Sequence, residues 1–223
     1  MESLAGIKNF FQPGVQVLNT LESGVGRMEQ TSWMRQGADR SGRLGRFEFW
    51  AMNNPVRRWF QKNLELRLFK AMLRRRGLDP SGGVLMDAGC GSGYGTRLLI
   101  ESFRPSRVIA FDLMPEQIAL ARRRGLGVEF FVGDMTRIDV PDRVVDAVFV
   151  FGVLHHVPDW PAALAELFRV LKPGGVLLVE EPPIGFTRPE LERGLAGAGL
   201  PILERRTAAP PTFYSYLCWK PKA

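Results

Sequence analysis

From Gly83 onward the chain alternates short runs of β-branched and aromatic residues with helical segments, and this alternation restricts its fold more than any other feature. Strands are predicted at Val84 to Asp87, Arg107 to Asp112, Val128 to Val132, Val145 to Phe151 and Val176 to Glu180, with helices at Thr96 to Phe103, Pro115 to Arg124 and Pro161 to Leu171. Strands separated by helices need crossover connections, which are right-handed, and the result is a doubly wound parallel sheet. The tail changes pattern: a helix at Arg188 to Ala198 precedes strands near Ile202 to Thr207 and Phe213 to Trp219. No helix separates the last two strands, so they should pair antiparallel at one edge.

The expected fold is therefore α/β and Rossmann-like: a doubly wound, seven-stranded, mostly parallel sheet with an antiparallel edge strand and an N-terminal helical extension. The texture changes near "GLDPSGG" (77–83), which divides the chain into a basic, aromatic-rich helical extension at 1–80 and a ligand-binding domain at 81–223. Within the extension, Asn-Asn-Pro before Val56 suits a helix start, and Phe60, Leu64, Leu68 and Met72 recur at helical spacing as one predicted buried stripe. The net charge of +7 is concentrated there, because residues 1–80 carry 14 Lys/Arg against 7 Asp/Glu while residues 81–223 carry 16 of each. Such asymmetry points to an anionic partner: an acidic substrate, a membrane surface or, as a weaker reading, a nucleic acid.

No apolar run approaches the roughly 18 residues that span a bilayer, and the N-terminus lacks a secretory pattern. A cytoplasmic protein is expected, with contact to an anionic membrane through the basic region as a variant of that expectation. Cys90 and Cys218 are too few and too far apart for a disulfide framework or a cysteine zinc site, and no metal site is expected.

The first strand runs into "LMDAGCGSGYGT" (85–96), where Gly89, Gly91, Gly93 and Gly95 fall within seven positions. Glycines there permit positive φ and let a ligand approach the main chain. A dinucleotide loop would read Gly-x-Gly-x-x-Gly, but Tyr94 stands where its last glycine belongs. No Gly-Lys-Ser/Thr follows either, so a phosphate loop is excluded. Acids stand at three successive strand ends, Asp87, Asp112 and Asp134. An acid after the second strand can accept from both ribose hydroxyls, and one after the third from an adenine amino group. Acids near the ligand fit a positively charged nucleoside without phosphates.

With these residues in view, 84–181 resembles the class I S-adenosylmethionine-dependent methyltransferases. "VLMDAGCGSGYG" is similar to their first motif, "VIAFDLMPEQIALAR" to their second-strand acid and helix, and "VEFFVGDMTRI" to their adenine-contacting segment. "VVDAVFVFGVLHHVPDW" and "LAELFRVLKPGGVLLVEEPP" resemble the branch containing ubiquinone and menaquinone C-methyltransferases and related small-molecule enzymes. The resemblance implies S-adenosylmethionine as cofactor and S-adenosylhomocysteine as product. It places Gly89, Cys90, Gly91 and Gly93 against the methionine part, Asp87 near its amino group, Asp112 on the ribose and Leu113 beside the adenine. Asp134 would accept from the adenine amino group, Met135 would contact the ring, and Phe151 would border the transferred methyl.

His155 and His156 follow the fourth strand at the active-site edge and are the candidate catalytic residues. Glu180 and Glu181, after the fifth strand, face either the acceptor or the structure. Asp146, Glu166 and Arg169 read as structural, and Lys172 to Gly175 as a helix stop and turn. In the family the region before the first motif often forms a lid, here 46–60, so Trp50, Trp59 and Phe60, with Tyr94, are the candidate substrate residues. The expected activity is methyl transfer to a small apolar or aromatic acceptor, quinone-like, lipid-linked or a natural product. The alternatives are an RNA methyltransferase that uses the basic region and a cofactor-binding scaffold without catalysis. Neither the acceptor atom nor the oligomeric state is legible.

Overall fold

The computed structural model describes residues 54–208 and 213–222. Seven strands form one sheet: β1 (Val84–Ala88), β2 (Arg107–Asp112), β3 (Glu129–Val132), β4 (Val145–Phe151), β5 (Leu171–Glu181), β6 (Ile202–Ala208) and β7 (Phe213–Trp219). Their order is β3-β2-β1-β4-β5-β7-β6. The first five are parallel, and β7 runs antiparallel to both β5 and β6. The order reverses between β1 and β4, which makes the carboxyl ends of those two strands the crevice where such sheets bind ligands.

The central strands are buried on both faces, and each face has its own apolar cluster. Met86, Ala88, Val148 and Val150 pack with Leu164 and Leu167 of α5 (Trp160–Val170) and with Leu191 and Leu195 of α6 (Arg188–Gly197). On the opposite face Leu85, Phe149 and Leu178 pack with Leu98, Leu99 and Phe103 of α3 (Tyr94–Phe103). A smaller cluster joins Ala110 and Phe130 to Ile118 and Ala121 of α4 (Pro115–Arg122). Helix starts obey local chemistry: Asp159 accepts from Ala162 N at 3.2 Å, and Thr187 and Glu190 form a reciprocal capping box.

The first described helix begins as its sequence suggests. Asn54 caps it by accepting from Arg57 N at 2.8 Å, with Pro55 in the first turn. It does not continue as one α-helix: α1 (Pro55–Phe60) passes into a π turn (Gln61–Glu65) before α2 (Leu66–Arg75). Leu66 N donates to Gln61 O, five residues back. The π turn accommodates one extra residue and so rotates α2 by about 100° relative to an unbroken helix. This breaks the predicted stripe: Met72 is buried and Leu68 packs against the core, but Leu64 is 41% exposed, and Leu66, Phe69 and Leu73 join Met72 in the buried set. They enter the cluster on the α3 face, where Phe69 lies 5.4 Å from Phe151 between ring centroids. Each such buried side chain contributes about 1.5 to 3 kcal/mol.

The turn expected at Lys172 to Gly175 is instead an irregularity within β5. Leu171 pairs with Val145 and Val176 with Ala147, so residues 172–175 stand against Asp146 alone. Asp146 ties this excursion down, accepting from Lys172 Nζ at 2.8 Å and from Val84 N at 2.8 Å. Glu166 and Arg169 hold the segment before β4, with Glu166 accepting from Ile138 N and Arg169 donating to Ile138 O and Val140 O.

Candidate active site

A cavity of about 350 Å³ lies at the carboxyl ends of β1, β2 and β4, at the reversal of strand order. Its volume falls within the roughly 300 to 1,000 Å³ typical of small-molecule sites. The loop between β1 and α3 forms its floor. Gly89, Gly91 and Gly93 have φ of 75°, 52° and 76°, conformations that an L side chain rarely adopts. Gly89 N and Cys90 N both donate to Phe111 O at 2.9 Å, fastening the loop to β2. The glycines serve different ends. A Cβ on Gly91 would meet nothing within 4 Å, one on Gly89 would lie 2.6 Å from Val153 Cγ1, and one on Gly93 would lie 3.0 Å from Ala121 Cβ. Gly89 and Gly91 line the cavity, whereas Gly93 packs against α4.

The three strand-end acids line the same cavity. Asp87 is buried and accepts from the Thr96 hydroxyl at 2.6 Å. Burial pushes its pKa up to about 7 against the lowering effect of that hydrogen bond. Asp112 accepts from Gly91 N through Oδ2 and from Met114 N through Oδ1, both at 2.9 Å, and burial raises its pKa as well. Each carboxylate oxygen has a second lone pair, so both remain able to accept from a diol. Asp134 is exposed, and its Oδ1 accepts from Thr136 N and Oγ1 at 2.8 Å. Leu113, 40% exposed, and buried Met135 also line the cavity and offer apolar surface for a flat ring. Cys90 is buried, and burial raises its thiol pKa well above the usual value, so it is a lining atom and not a nucleophile.

The helix before β1 supplies a wall. Arg57, Arg58 and Gln61 line the cavity beside Tyr94. Arg57 is held by Glu65 at 2.6 Å and donates to Phe151 O at 3.4 Å, so it braces this wall against the end of β4. Glu65 is buried by the π turn, and burial raises its pKa. Glu180, whose Oε2 accepts from Ser215 Oγ at 3.0 Å, is raised to about 8 by burial and by the neighbouring Glu65. Sequence reasoning counted Arg57 and Arg58 only within the basic region at 1–80, and it missed Gln61 and Glu65 altogether. An interrupted helix has no signal in a periodicity count.

The two histidines separate. Glu181, fully buried, accepts from Val153 N at 3.0 Å and Leu154 N at 2.8 Å, and its Oε2 lies 2.7 Å from His155 Nδ1. It thereby shapes the loop after β4 and fixes His155, which does not line the cavity. His156 does, with its ring centroid 3.9 Å from that of His155. Burial, and next the His155 charge, lower its pKa to about 4, so its imidazole is neutral at pH 7.

Of the candidate site residues, Asp87, Gly89, Cys90, Gly91, Tyr94, Asp112, Leu113, Asp134, Met135, Phe151 and His156 are thus brought to one cavity. Gly93, His155, Trp59 and Phe60 do not line it. Trp59 is 57% exposed and packs edge-on against Phe60 at 5.4 Å. Trp50 lies outside the described residues, as does most of the proposed lid. Within the basic region, Arg75 and Arg76 ion-pair with Glu204 at 3.3 and 3.4 Å. No helix among the described residues is long and apolar enough to cross a membrane.

Comparison with known proteins identifies this segment of the chain. Residues 86–179 match the family described as "Methyltransferase domain". This segment is a class I S-adenosylmethionine-dependent methyltransferase domain. The methyltransferase domain carries the glycine loop and all three acids. The chain is 38% identical over 140 residues to the malonyl-[acyl-carrier protein] O-methyltransferase of Serratia marcescens, covering 59% of this chain and 54% of that one. It is 35% identical over 130 residues to the demethylmenaquinone methyltransferase of Thermus thermophilus, covering 56% and 54%. The chain thus spans about half the length of these curated relatives. Among solved structures, an S-adenosylmethionine-dependent methyltransferase from Aquifex aeolicus superposes with a TM-score of 0.67 at 20% identity, covering 79% of this chain and 99% of that one. That likeness shows the fold, a Rossmann-like sheet with an antiparallel edge.

Proposed function

We propose that this chain transfers the methyl group of S-adenosylmethionine to a small acceptor bound in the same cavity. The observation that carries this reading is the convergence of the positive-φ glycine loop with Asp87 and Asp112 on one 350 Å³ cavity at the strand reversal. Gly89 and Gly91 would lie along the methionine part, Asp87 would accept from its ammonium group, and Asp112 would take the ribose hydroxyls. Asp134 would accept from the adenine amino group, with Leu113 and Met135 against the ring. A buried carboxyl near pH 7 costs little to ionise once an ammonium sits beside it. Thr96 holds Asp87 in place for that contact.

The reaction is an in-line displacement. A lone pair on the acceptor forms a bond to the methyl carbon, the carbon–sulfur bond breaks, and the sulfonium electrons return to sulfur as S-adenosylhomocysteine leaves. Holding the acceptor atom in line with that bond supplies much of the acceleration. His156 is neutral and can accept a hydrogen bond, but a pKa near 4 makes it a weak base for a phenol or carbon acid. This favours positioning over proton abstraction and an acceptor already deprotonated at pH 7. Phe151, Val153, Val157 and Pro158 give the cavity an apolar side for the acceptor's body. The relatives' names span malonyl-[acyl-carrier protein] and demethylmenaquinone as acceptors, two different chemical classes.

The test is turnover of methyl-labelled cofactor by the full chain against carboxylic acids, acyl thioesters, hydroquinones and RNA. Label in one of the first three classes supports the proposal. Label in RNA alone, or tight cofactor binding without transfer to any class, would overturn it.

A further inference from the structure

Three arginines converge on one aromatic ring at the rim of the cavity. The guanidinium carbons of Arg97, Arg58 and Arg124 lie 4.9, 5.7 and 5.8 Å from the centroid of Tyr94, the residue that opens α3 directly after the glycine loop. They come from three separate elements: Arg58 from α1, Arg97 from α3, and Arg124 from just beyond α4. The ring face attracts each cation by about 0.5 to 1 kcal/mol, but three like charges around one ring repel. The repulsion is felt within the cluster: burial, and then the charges of Arg58 and Arg97, lower the Arg124 pKa.

The compensation on the protein side is thin. Arg124 donates to Ser92 O and to Ser92 Oγ, a neutral group, while Arg97 Nε has Glu101 Oε1 at 3.6 Å, close enough for an ion pair but beyond hydrogen-bond reach. The Nε atom of Arg58 is buried without a hydrogen-bond partner among the described residues, and the buried Nε of Arg97 makes no hydrogen bond beyond that long ion pair. A buried guanidinium N–H left unpaired costs more than a neutral group would, so native structures rarely leave one empty. Arg57 shows the contrast. One residue earlier on the same helix, it is committed to Glu65 and Phe151 O and has no share in this cluster.

We propose that Arg58, Arg97 and Arg124, arrayed around Tyr94, form an oxyanion subsite that takes a carboxylate or phosphate group of a ligand held in the adjoining cavity. Arg58 and Tyr94 line that cavity, so an anion at the subsite is continuous with whatever lies over the glycine loop. Planar guanidinium forks suit such oxygens, and several N–H donors from different elements give the group a fixed place. Two sources share this chemistry: the carboxylate of the cofactor's methionine end, and an acidic group on the acceptor. Only the choice between them rests on the methyltransferase reading. The subsite itself rests on the arginines.

The experiment uses the full chain, its Arg58→Gln and Arg97→Gln variants, and three probes by calorimetry: inorganic phosphate, S-adenosylhomocysteine and 5′-methylthioadenosine, which lacks the amino acid carboxylate. Urea unfolding checks that each variant retains the parent fold. If the anion belongs to the cofactor, each substitution weakens S-adenosylhomocysteine at least tenfold and leaves 5′-methylthioadenosine unchanged, and phosphate and S-adenosylhomocysteine exclude one another. If it belongs to the acceptor, phosphate binds the free protein and its S-adenosylhomocysteine complex alike, and each substitution weakens it at least tenfold. The subsite is refuted when folded variants bind all three probes within twofold of the parent. Failure of the parent to bind either nucleoside would sink the methyltransferase reading instead, and phosphate binding would still report on the arginines.

Discussion

Replacing Gly89 with alanine should be far more damaging than the same change at Gly91, although both glycines sit in one loop with positive φ. At either position alanine must adopt a left-handed conformation, which costs roughly 1 to 2 kcal/mol. At Gly91 nothing else opposes it, because a Cβ there meets nothing within 4 Å. At Gly89 the Cβ falls 2.6 and 2.8 Å from the two methyl carbons of Val153. Valine is stiff about χ1, and Val153 stands in a loop that Glu181 fastens by its backbone, so it cannot easily withdraw. Overpacking of this kind adds about 1 to 3 kcal/mol. The expected loss is therefore roughly 2 to 5 kcal/mol for Gly89→Ala against 1 to 2 for Gly91→Ala. Urea unfolding at constant m-value measures both. The pair Gly89→Ala/Val153→Ala should be more stable than the sum of its single changes by about 1 kcal/mol or more, because the clash is shared. Equal losses at the two glycines, or strict additivity in the pair, would refute the assignment of Gly89 to close packing.

Asp87→Asn should alter the pH dependence of stability. The folded pKa of about 7 lies above the ordinary aspartate value of 3.8, so the ligand-free native state binds more protons than the unfolded state between those values. Stability then falls as pH rises from about 4 to 7, by up to roughly 4 kcal/mol from this group. In unfolding curves across that window the asparagine variant should lose this group's share of the slope, and an unchanged slope would contradict the burial argument. Glu181→Gln should destabilise by about 2 to 4 kcal/mol, since it weakens charged acceptance from three successive loop N–H groups and from His155. Equilibrium unfolding reads it, and a loss under about 0.5 kcal/mol, the floor for a typical hydrogen bond, would mean the loop holds itself. Arg169→Ala should cost about 2 to 3 kcal/mol, because Ile138 O, Val140 O and Glu166 lose a charged donor together; thermal unfolding checks it against an exposed control, Arg123→Ala.

The sheet and the cavity floor were legible because their causes are local. Strand and helix periods alternate from Gly83, and the acids and glycines of the loop sit at strand ends, where the backbone alone places them. The wall of the cavity was not legible in the same way. The 3.6-residue period marked Phe60, Leu64, Leu68 and Met72 as one face, but the π turn at Gln61–Glu65 shifts the register, leaving Leu64 exposed and burying Leu66, Phe69 and Leu73 beside Met72. That same turn buries Glu65 against Arg57 and Glu180, a meeting set by the sheet and not by sequence neighbours. The adjacent His155 and His156 are equivalent in sequence. Glu181, a strand away, is what turns one into a structural residue and leaves the other at the cavity.

Titration calorimetry of S-adenosylhomocysteine into the full chain and into Asp112→Ala tests the central claim most directly. The account predicts one saturable site per chain, and a loss of roughly 1 to 3 kcal/mol in the variant for the hydrogen bonds to a charged group. No heat of binding in the parent, or the same affinity in both proteins, would contradict it.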